Sequence, residues 1–461
     1  MKAIVENLQS KFREVASKRE GEKRRIGLEL KFPLVDPQGN AATYDDVQAL
    51  WSFLHQRGWT PVTDKLTRRV VGAKRPGPQN HTVASCETGF CKTEFSLAHV
   101  ADLWQLEQAV KELRRELATF SAFRGALFLG YGIQPKTHPS SRLLIKKERT
   151  AFWEKVFGSN RLIPEEEGDD VHLFTINAST QVHLDVSREE AIAAVNVLNG
   201  FAGAQIALTA HSNIWRGAPD PTYKCVCEKF WDWWLPNDNR VGIPDRPFVD
   251  LEDYVRTVSH FGPVYVKRNG TPIALTRYSS FAEYYKAGKE AVGEDLTGQE
   301  VKLSPSFEDF ALQQTFCWHT ARISRYGTVE NRVNDQQPPG ELLCVAALTL
   351  GLVHALPEAI EELSAWDWGL LRQARLAACK KGLDEADEAV DVHLLATRML
   401  SIAERGLRKR ALSEERFLEP LKKRLRRREC PADSARRAFE KGGIGTLIQT
   451  RRLCQAGMGT R

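Results

Sequence analysis

Four stretches of this chain alternate apolar with polar residues at the two-residue period of a β-strand, and the polar set on each is rich in acids. Residues 24–36, RRIGLELKFPLVD, put Gly27, Glu29 and Lys31 on one face. The segments CETGF and KTEFSL carry Glu87, and then Glu94 with Ser96. Residues 173–185, LFTINASTQVHLD, align Gln181, His183 and Asp185. Residues 321–335, ARISRYGTVENRVND, read as the end of a helix running into a strand that projects Thr328, Glu330 and Arg332 together. Singly, each stretch also matches a solvated strand edge with a surface ion pair, and His183 alone matches a hydrogen-bonded structural histidine. Jointly they demand more. If the four faces line one concavity, the carboxylates repel one another, and each pKa rises unless cations neutralise them.

Oxygen donors of this kind select Mg2+ or Mn2+ over softer metals, and Mg2+ held by a few carboxylates completes its shell with water and nucleotide phosphates. The planar fork of Arg332 suits phosphate or carboxylate oxygens. ATP chemistry is therefore suggested, without a Walker loop, a kinase Gly-rich loop or a dinucleotide fingerprint to carry it.

With 461 residues the chain can bury a large core, and 42% hydrophobic against 27% charged residues is an ordinary globular balance. No apolar run approaches membrane-spanning length, and the amino terminus, MKAIVENLQSKFREV, is charged and amphipathic, so a cytoplasmic protein with no membrane partner is expected. Nine cysteines, an odd number without paired CxxC knuckles, point to reduced thiols rather than a disulfide framework or a zinc site. The basic run between Arg405 and Arg428, including KKRLRRR, interleaves with a leucine stripe and lacks stacking aromatics. It reads as a solvated helix face and not as a nucleic-acid surface.

In order, the chain is expected to open with a helix to about Glu20 and, after the first strand, to form a helix from Tyr44 to Arg57 capped by Thr43 and Asp46. Short strands and turns follow over residues 59–98, with a loop from Lys74 to Asn80. Leu103, Leu106, Val110, Leu113 and Leu117 mark a long amphipathic helix. ALFLGYGIQP reads as a buried strand leading to a Gly-containing turn and Pro135, where the chain is expected to line a cavity, and residues 188–210 as one helix. Trp231, Trp233 and Trp234 are expected in core and pocket wall, and PVYVKRNGTPIAL as a hairpin turning at Asn269 and Gly270. The last 120 or so residues read as helical. The expected division is an α+β core over 1–340 and a helical region over 341–461, packed as one unit.

The ordered run IGLELKF, CETGFCKTEFS, FLGYGIQPK, STQVHLDVS, ALTAHS, PVYVKRNG and RYGTVENRVND resembles the glutamate-cysteine ligase superfamily, in its plant and proteobacterial branch. The tail, LLATRMLSIAERGLRKRALSEERFLEPL, continues the resemblance. It implies a glutamine-synthetase-like fold: a curved, mainly antiparallel sheet forming a funnel, surrounded by helices. It also implies a chemistry in which a carboxylate, that of glutamate in the best-known members, takes the γ-phosphate of ATP and is then captured by the amine of cysteine. Position by position, Glu29, Glu87, Glu94, Gln181 and Glu330 match metal-side positions. Lys147, Arg149, Gln181, His183, Arg322 and Arg332 are expected to bind ATP or substrate, and Glu330, Arg332 and Lys31 to act in catalysis. The implied partners are ATP and amino acids, with the protein a monomer or homodimer.

Three departures stand out. Lys31 replaces the second acid of the first motif, His183 replaces an asparagine, and Cys227 stands where an arginine is expected four residues before Trp231. They leave open a ligase for another carboxylate and amine pair, and a non-catalytic nucleotide-binding relative.

Overall fold

The computed structural model describes residues 2–17, 23–77, 80–384 and 390–453. Nine strands build the main sheet: β1 (Ile26–Val35), β2 (Thr60–Thr63), β3 (Val70–Pro76), β4 (His81–Cys86), β5 (Lys92–Ser96), β6 (Leu127–Phe128), β7 (Ser179–Asp185), β8 (Ala321–Ile323) and β9 (Thr328–Asp335). The spatial order is β8-β9-β7-β1-β5-β4-β3-β2, every pairing is antiparallel, and β6 joins β1 at Leu34 and Phe128. On β1 the alternation works as expected: Ile26, Leu28 and Leu30 are fully buried in the main hydrophobic core, while Glu29 turns to the other face. That core is continuous with the helices behind the sheet, among them Cys344–His354, whose first ten residues are all buried. The result is the expected curved, mainly antiparallel sheet with helices around it.

Local chemistry explains the elements that match. Thr43 and Asp46 form a reciprocal capping box at Tyr44–Gln56. The leucine stripe of Leu103–Arg124 is buried. The hairpin Tyr265–Arg268 to Thr271–Ala274 turns through Asn269 and Gly270, both at positive φ.

Five elements differ from expectation. Residues 321–335 are a β-hairpin, β8 to β9, so Arg322 lies on a strand and not on a helix end. In ALFLGYGIQP only Leu127–Phe128 is strand, because the backbone beyond pairs with scattered segments: Gly130 N–H with Arg451 O, Gly132 N–H with His211 O, Gln134 N–H with Ile176 O. A Cβ on Gly130 would sit 2.8 Å from Gln337 O, so this close approach requires glycine. The strand expected over 173–185 begins only at Ser179, after a 3-10 turn, Asp170–Thr175, held by His172 Nδ1 against the backbone of Asp169. The helix expected over 188–210 is two helices, Ala191–Gly200 and Ala202–Thr209, bent by 54°; the Gln205 amide donates to the freed Leu198 carbonyl. The expected loop from Lys74 to Asn80 is likewise corrected: Lys74, Arg75 and Pro76 belong to β3, paired with Val83, Thr82 and His81, while residues 78–79 and the expected extension of the first helix over 18–20 lie outside the described residues.

Cys344–His354 and Val392–Lys409 pack with backbones in contact. A Cβ on Gly406 would lie 1.9 Å from Gly351 O, and one on Gly351 2.3 Å from Ala403 O. Gly406→Ala must push the helices apart and is expected to destabilise the protein by about 1–3 kcal/mol. Urea unfolding checks this, and an unchanged midpoint would mean that the helix pair yields freely.

The eight cysteines among the described residues are free and buried. The basic run forms Glu419–Arg427 and its surroundings, where Arg424 is buried on Leu208 O, Gln337 and Glu341, and Lys422 pairs with Glu404 at 2.8 Å. Among the described residues, no single helix is long and apolar enough to cross a membrane.

Candidate active site

Cross-strand register, rather than sequence proximity, assembles the polar face. Lys31 on β1 faces Glu94 on β5, Glu29 faces Gln181 on β7, and the row Gly27, His183, Glu330, Arg322 crosses four strands, β1, β7, β9 and β8. Residues directly opposite in neighbouring strands share a face. These side chains line a cavity of about 670 Å³, joined by Glu87, Ser96 and Arg149. Gly27 leaves room for its neighbour: a Cβ there would stand 3.3 Å from His183 Cβ.

Glu330 is 3% exposed and lies between two guanidinium groups. Arg322 Nε donates to its Oε2 at 2.8 Å, and Arg332 Nη1 donates to its Oε1. Burial by itself would raise its pKa, but Arg322, then Arg332 and His183, hold it well below the usual carboxylate range. Arg322 spends its remaining donors on the carbonyls of Gln314, Thr315 and Cys317, so it anchors Glu330 from behind.

Alternation along β9 places Arg332 on the same face as Glu330, and a bulge lies beside it. Asn331 pairs with Val182 and Asn334 with Thr180, so Arg332 and Val333 together oppose Gln181. Gln205 pins the bulge from the helix side, accepting from Asn331 Nδ2 at 2.7 Å and Asn334 Nδ2 at 3.3 Å. Arg332 then projects into the cavity, 3.4 Å from Gln181 Oε1.

On the opposite wall the Lys31 ammonium lies 2.9 Å from Glu94 Oε2 and 3.8 Å from both Glu29 Oε2 and Glu87 Oε2. Burial alone would lower its pKa; Glu87, Glu94 and Glu29 together raise it instead. Burial would also raise Glu29, yet the hydrogen bond and charge of His183, whose Nε2 is 3.1 Å away, bring it below its ordinary value. His183 in turn is raised against its own burial, chiefly through that bond. Thr328 Oγ1 holds its Nδ1 at 3.0 Å.

Glu94 behaves differently. Burial, aided by the charges of Glu87 and Glu29, pushes it up to about 7 in spite of Lys31. A carboxyl raised in this way binds a proton in the folded state that the unfolded chain releases near 4.5. Its contribution to stability is therefore full below about 4.5 and lost as pH rises through about 7, on the order of 1 kcal/mol per pH unit. Glu94→Gln is expected to flatten that slope in urea midpoints measured from pH 4.5 to 8.

Of the expected site residues, Glu29, Lys31, Glu87, Glu94, Arg149, Gln181, His183, Arg322, Glu330 and Arg332 all line the cavity. Lys147 does not; its ammonium donates to Cys86 O at 2.6 Å and so fixes the chain entering Glu87. Arg325 and Tyr326, in the β8–β9 turn, also line the cavity, and sequence reading overlooked them because turn residues carry no periodicity. Behind Gln181 and Arg332 lies a recess of about 40 Å³ walled by Cys227, Glu228, Trp231, Trp318 and Asp335. Trp231 stacks on Trp318 with centroids 5.5 Å apart, so the tryptophan segment does supply pocket wall. The Cys227 thiol donates to Gly132 O at 3.0 Å.

Two solved structures are similar to this chain at low sequence identity. A glutamate-cysteine ligase from Francisella tularensis, solved in complex with AMP, superposes with a TM-score of 0.53 at 12% identity, covering 92% of this chain and 86% of that one. A bifunctional glutathione synthetase from Pasteurella multocida gives a TM-score of 0.46 at 14% identity, over 97% of this chain and 52% of the other. No curated protein sequence matches significantly. The family model for glutamate-cysteine ligase family 2 matches residues 25–453. That span holds every strand of the sheet and every residue of the cavity wall named above, and the chain belongs to glutamate-cysteine ligase family 2, as an ATP-dependent carbon–nitrogen ligase of that kind.

Proposed function

We propose that this ligase joins a substrate carboxylate to an amine through an acyl phosphate, with glutamate and cysteine as the pair and γ-glutamylcysteine as the product. A carboxylate oxygen attacks the γ-phosphorus of ATP, the bond to the β-phosphate oxygen breaks, and ADP leaves. The amine nitrogen then attacks the acyl carbon, the bond to phosphate breaks, and the nitrogen loses a proton. Little of this is covalent work for the protein; positioning and charge neutralisation dominate.

The observation that carries the reading is Arg332, facing a cavity of about 670 Å³ from the same side of β9 as Glu330 and held there by Glu330. A planar fork at that place suits phosphate oxygens or a substrate carboxylate. Arg149, exposed within the cavity, adds positive charge on the Glu87 side.

The metal roles expected of Glu29, Glu87, Glu94, Gln181 and Glu330 meet donors already engaged. Three carboxylates converge on Lys31, and both oxygens of Glu330 face arginines. Among the described residues, no three His, Cys, Asp or Glu side chains are grouped to hold a metal ion. In this arrangement the set does not fit a divalent cation, and no step above is routed through one.

Cys227 supports a second reading, a different carboxylate and amine pair, because a neutral thiol bonded to Gly132 O replaces the arginine that the resemblance leads one to expect. ADP release with ATP and a panel of amino-acid carboxylates and amines, with products identified by mass, separates the two. Turnover with glutamate and cysteine is the expected result. Turnover confined to another pair would transfer the assignment to the second reading, and ATP binding without any turnover would leave a non-catalytic relative.

A further inference from the structure

The position of Lys31 is unusual for a lysine. It is 6% exposed, in mid-strand, on the wall of the cavity described above, and three separate carboxyl groups lie within 4 Å of its nitrogen. Lysine is almost never buried unless it is paired. Here its backbone is also fixed, its N–H donating to Gln336 Oε1 at 3.0 Å, and its register partner across β1 and β5 is Glu94 itself. Glu29, Glu87 and Glu94 come from two strands and the loop that follows a third, and their oxygens meet at one nitrogen. Glu29 is further steadied by His183, and Glu94 by the Ser96 hydroxyl at 3.0 Å. Three carboxyl groups directed at one point offer the hard oxygen donors that a divalent cation takes up in proteins, Glu94 being the one raised to about 7. In this chain an ammonium occupies that point.

We propose that Lys31 is a built-in cation that replaces a divalent metal ion on the Glu29–Glu87–Glu94 wall, so that this half of the cavity supplies its positive charge from the protein. The ammonium carries one charge, cannot dissociate, and presents donors instead of open coordination positions. A second cation entering the same carboxylates would have to share them with it at close range. The proposal rests on the ligase reading only for what the charge faces, namely a phosphate-bearing ligand; the competition between Lys31 and a metal ion stands on the wall itself.

The test counts metal ions without nucleotide. Mn2+ is titrated into the whole protein and its free form followed by electron paramagnetic resonance. For the wild type, Glu94→Gln is expected to leave Mn2+ binding unchanged, since the wall holds no ion. Lys31→Gln, which removes the charge and spares the carboxylates, is expected to gain one Mn2+ at least tenfold tighter than any wild-type binding, and to lose it again in the Lys31→Gln, Glu94→Gln double variant. A wild-type protein that loses an ion on Glu94→Gln would overturn the proposal, as would a folded Lys31→Gln variant that gains none. Should Lys31→Gln fail to fold, the wild-type comparison alone still decides. Failure of the ligase reading would show separately, as absent turnover in the ADP assay, with the Mn2+ counts unaffected.

Discussion

Glutamine in place of Glu330 is expected to lower stability by about 3–5 kcal/mol, the cost of removing one partner from a buried ionic cluster. The side chain is 4% exposed, and Arg322 beside it is 8% exposed, so that guanidinium, left behind, cannot turn easily to water. Two like charges would then face each other across a neutral amide. The pH dependence gives a second check. Because the folded-state pKa of Glu330 is depressed, its contribution is fully present above the unfolded value of about 4.5 and is lost only as pH falls through the much lower folded value. The gap between wild type and variant should accordingly stay constant from pH 5 to 8 in urea unfolding. A gap under about 0.5 kcal/mol would mean that the cluster relaxes, and that Glu330 does not hold Arg322 and Arg332 as described.

The second large effect belongs to Arg332. Lysine there keeps the charge opposite Glu330 but loses the planar fork that faces the cavity. Arg332→Lys should reduce kcat/KM for ADP release about 10²- to 10³-fold, the scale seen when one preorganised donor to a developing anion is removed. Stability should change much less than with Glu330→Gln, as the ion pair survives in weakened form. Activity within threefold of the wild type would show that charge alone suffices and that the fork has no role.

Much of the fold could be read before the structure. The alternation in RRIGLELKFPLVD separates Glu29 and Lys31 from Leu28 and Leu30 because side chains on a strand take opposite faces in turn, whatever lies beside it. The Asn269–Gly270 turn, the Thr43 cap and the leucine stripe of Leu103–Arg124 are equally local, each set by a few adjacent residues. Elements whose backbone partners lie far away depart from their local composition. ALFLGYGIQP has the composition of a strand, but Gly130 and Gly132 let distant carbonyls approach and draw its N–H groups to Arg451 and His211 instead. The helix expected over 188–210 is two, with Gln205 satisfying Leu198 O at the bend, a contact that periodicity does not reveal.

The site divides in the same way. Sequence by itself determined which side chains share a face, since period-two alternation is a property of the strand, and the run of short motifs was enough to indicate the ligase family. Only tertiary structure decided what those side chains do to one another. Antiparallel register, set by the whole sheet, brings Lys31 among Glu29, Glu87 and Glu94, residues up to 65 positions apart in the chain. The bulge at Arg332 is held by Gln205, 127 positions away. The physical reason is one of range: alternation follows from the bonds between successive residues, whereas ion pairing and desolvation depend on distances through space that only the packed chain sets.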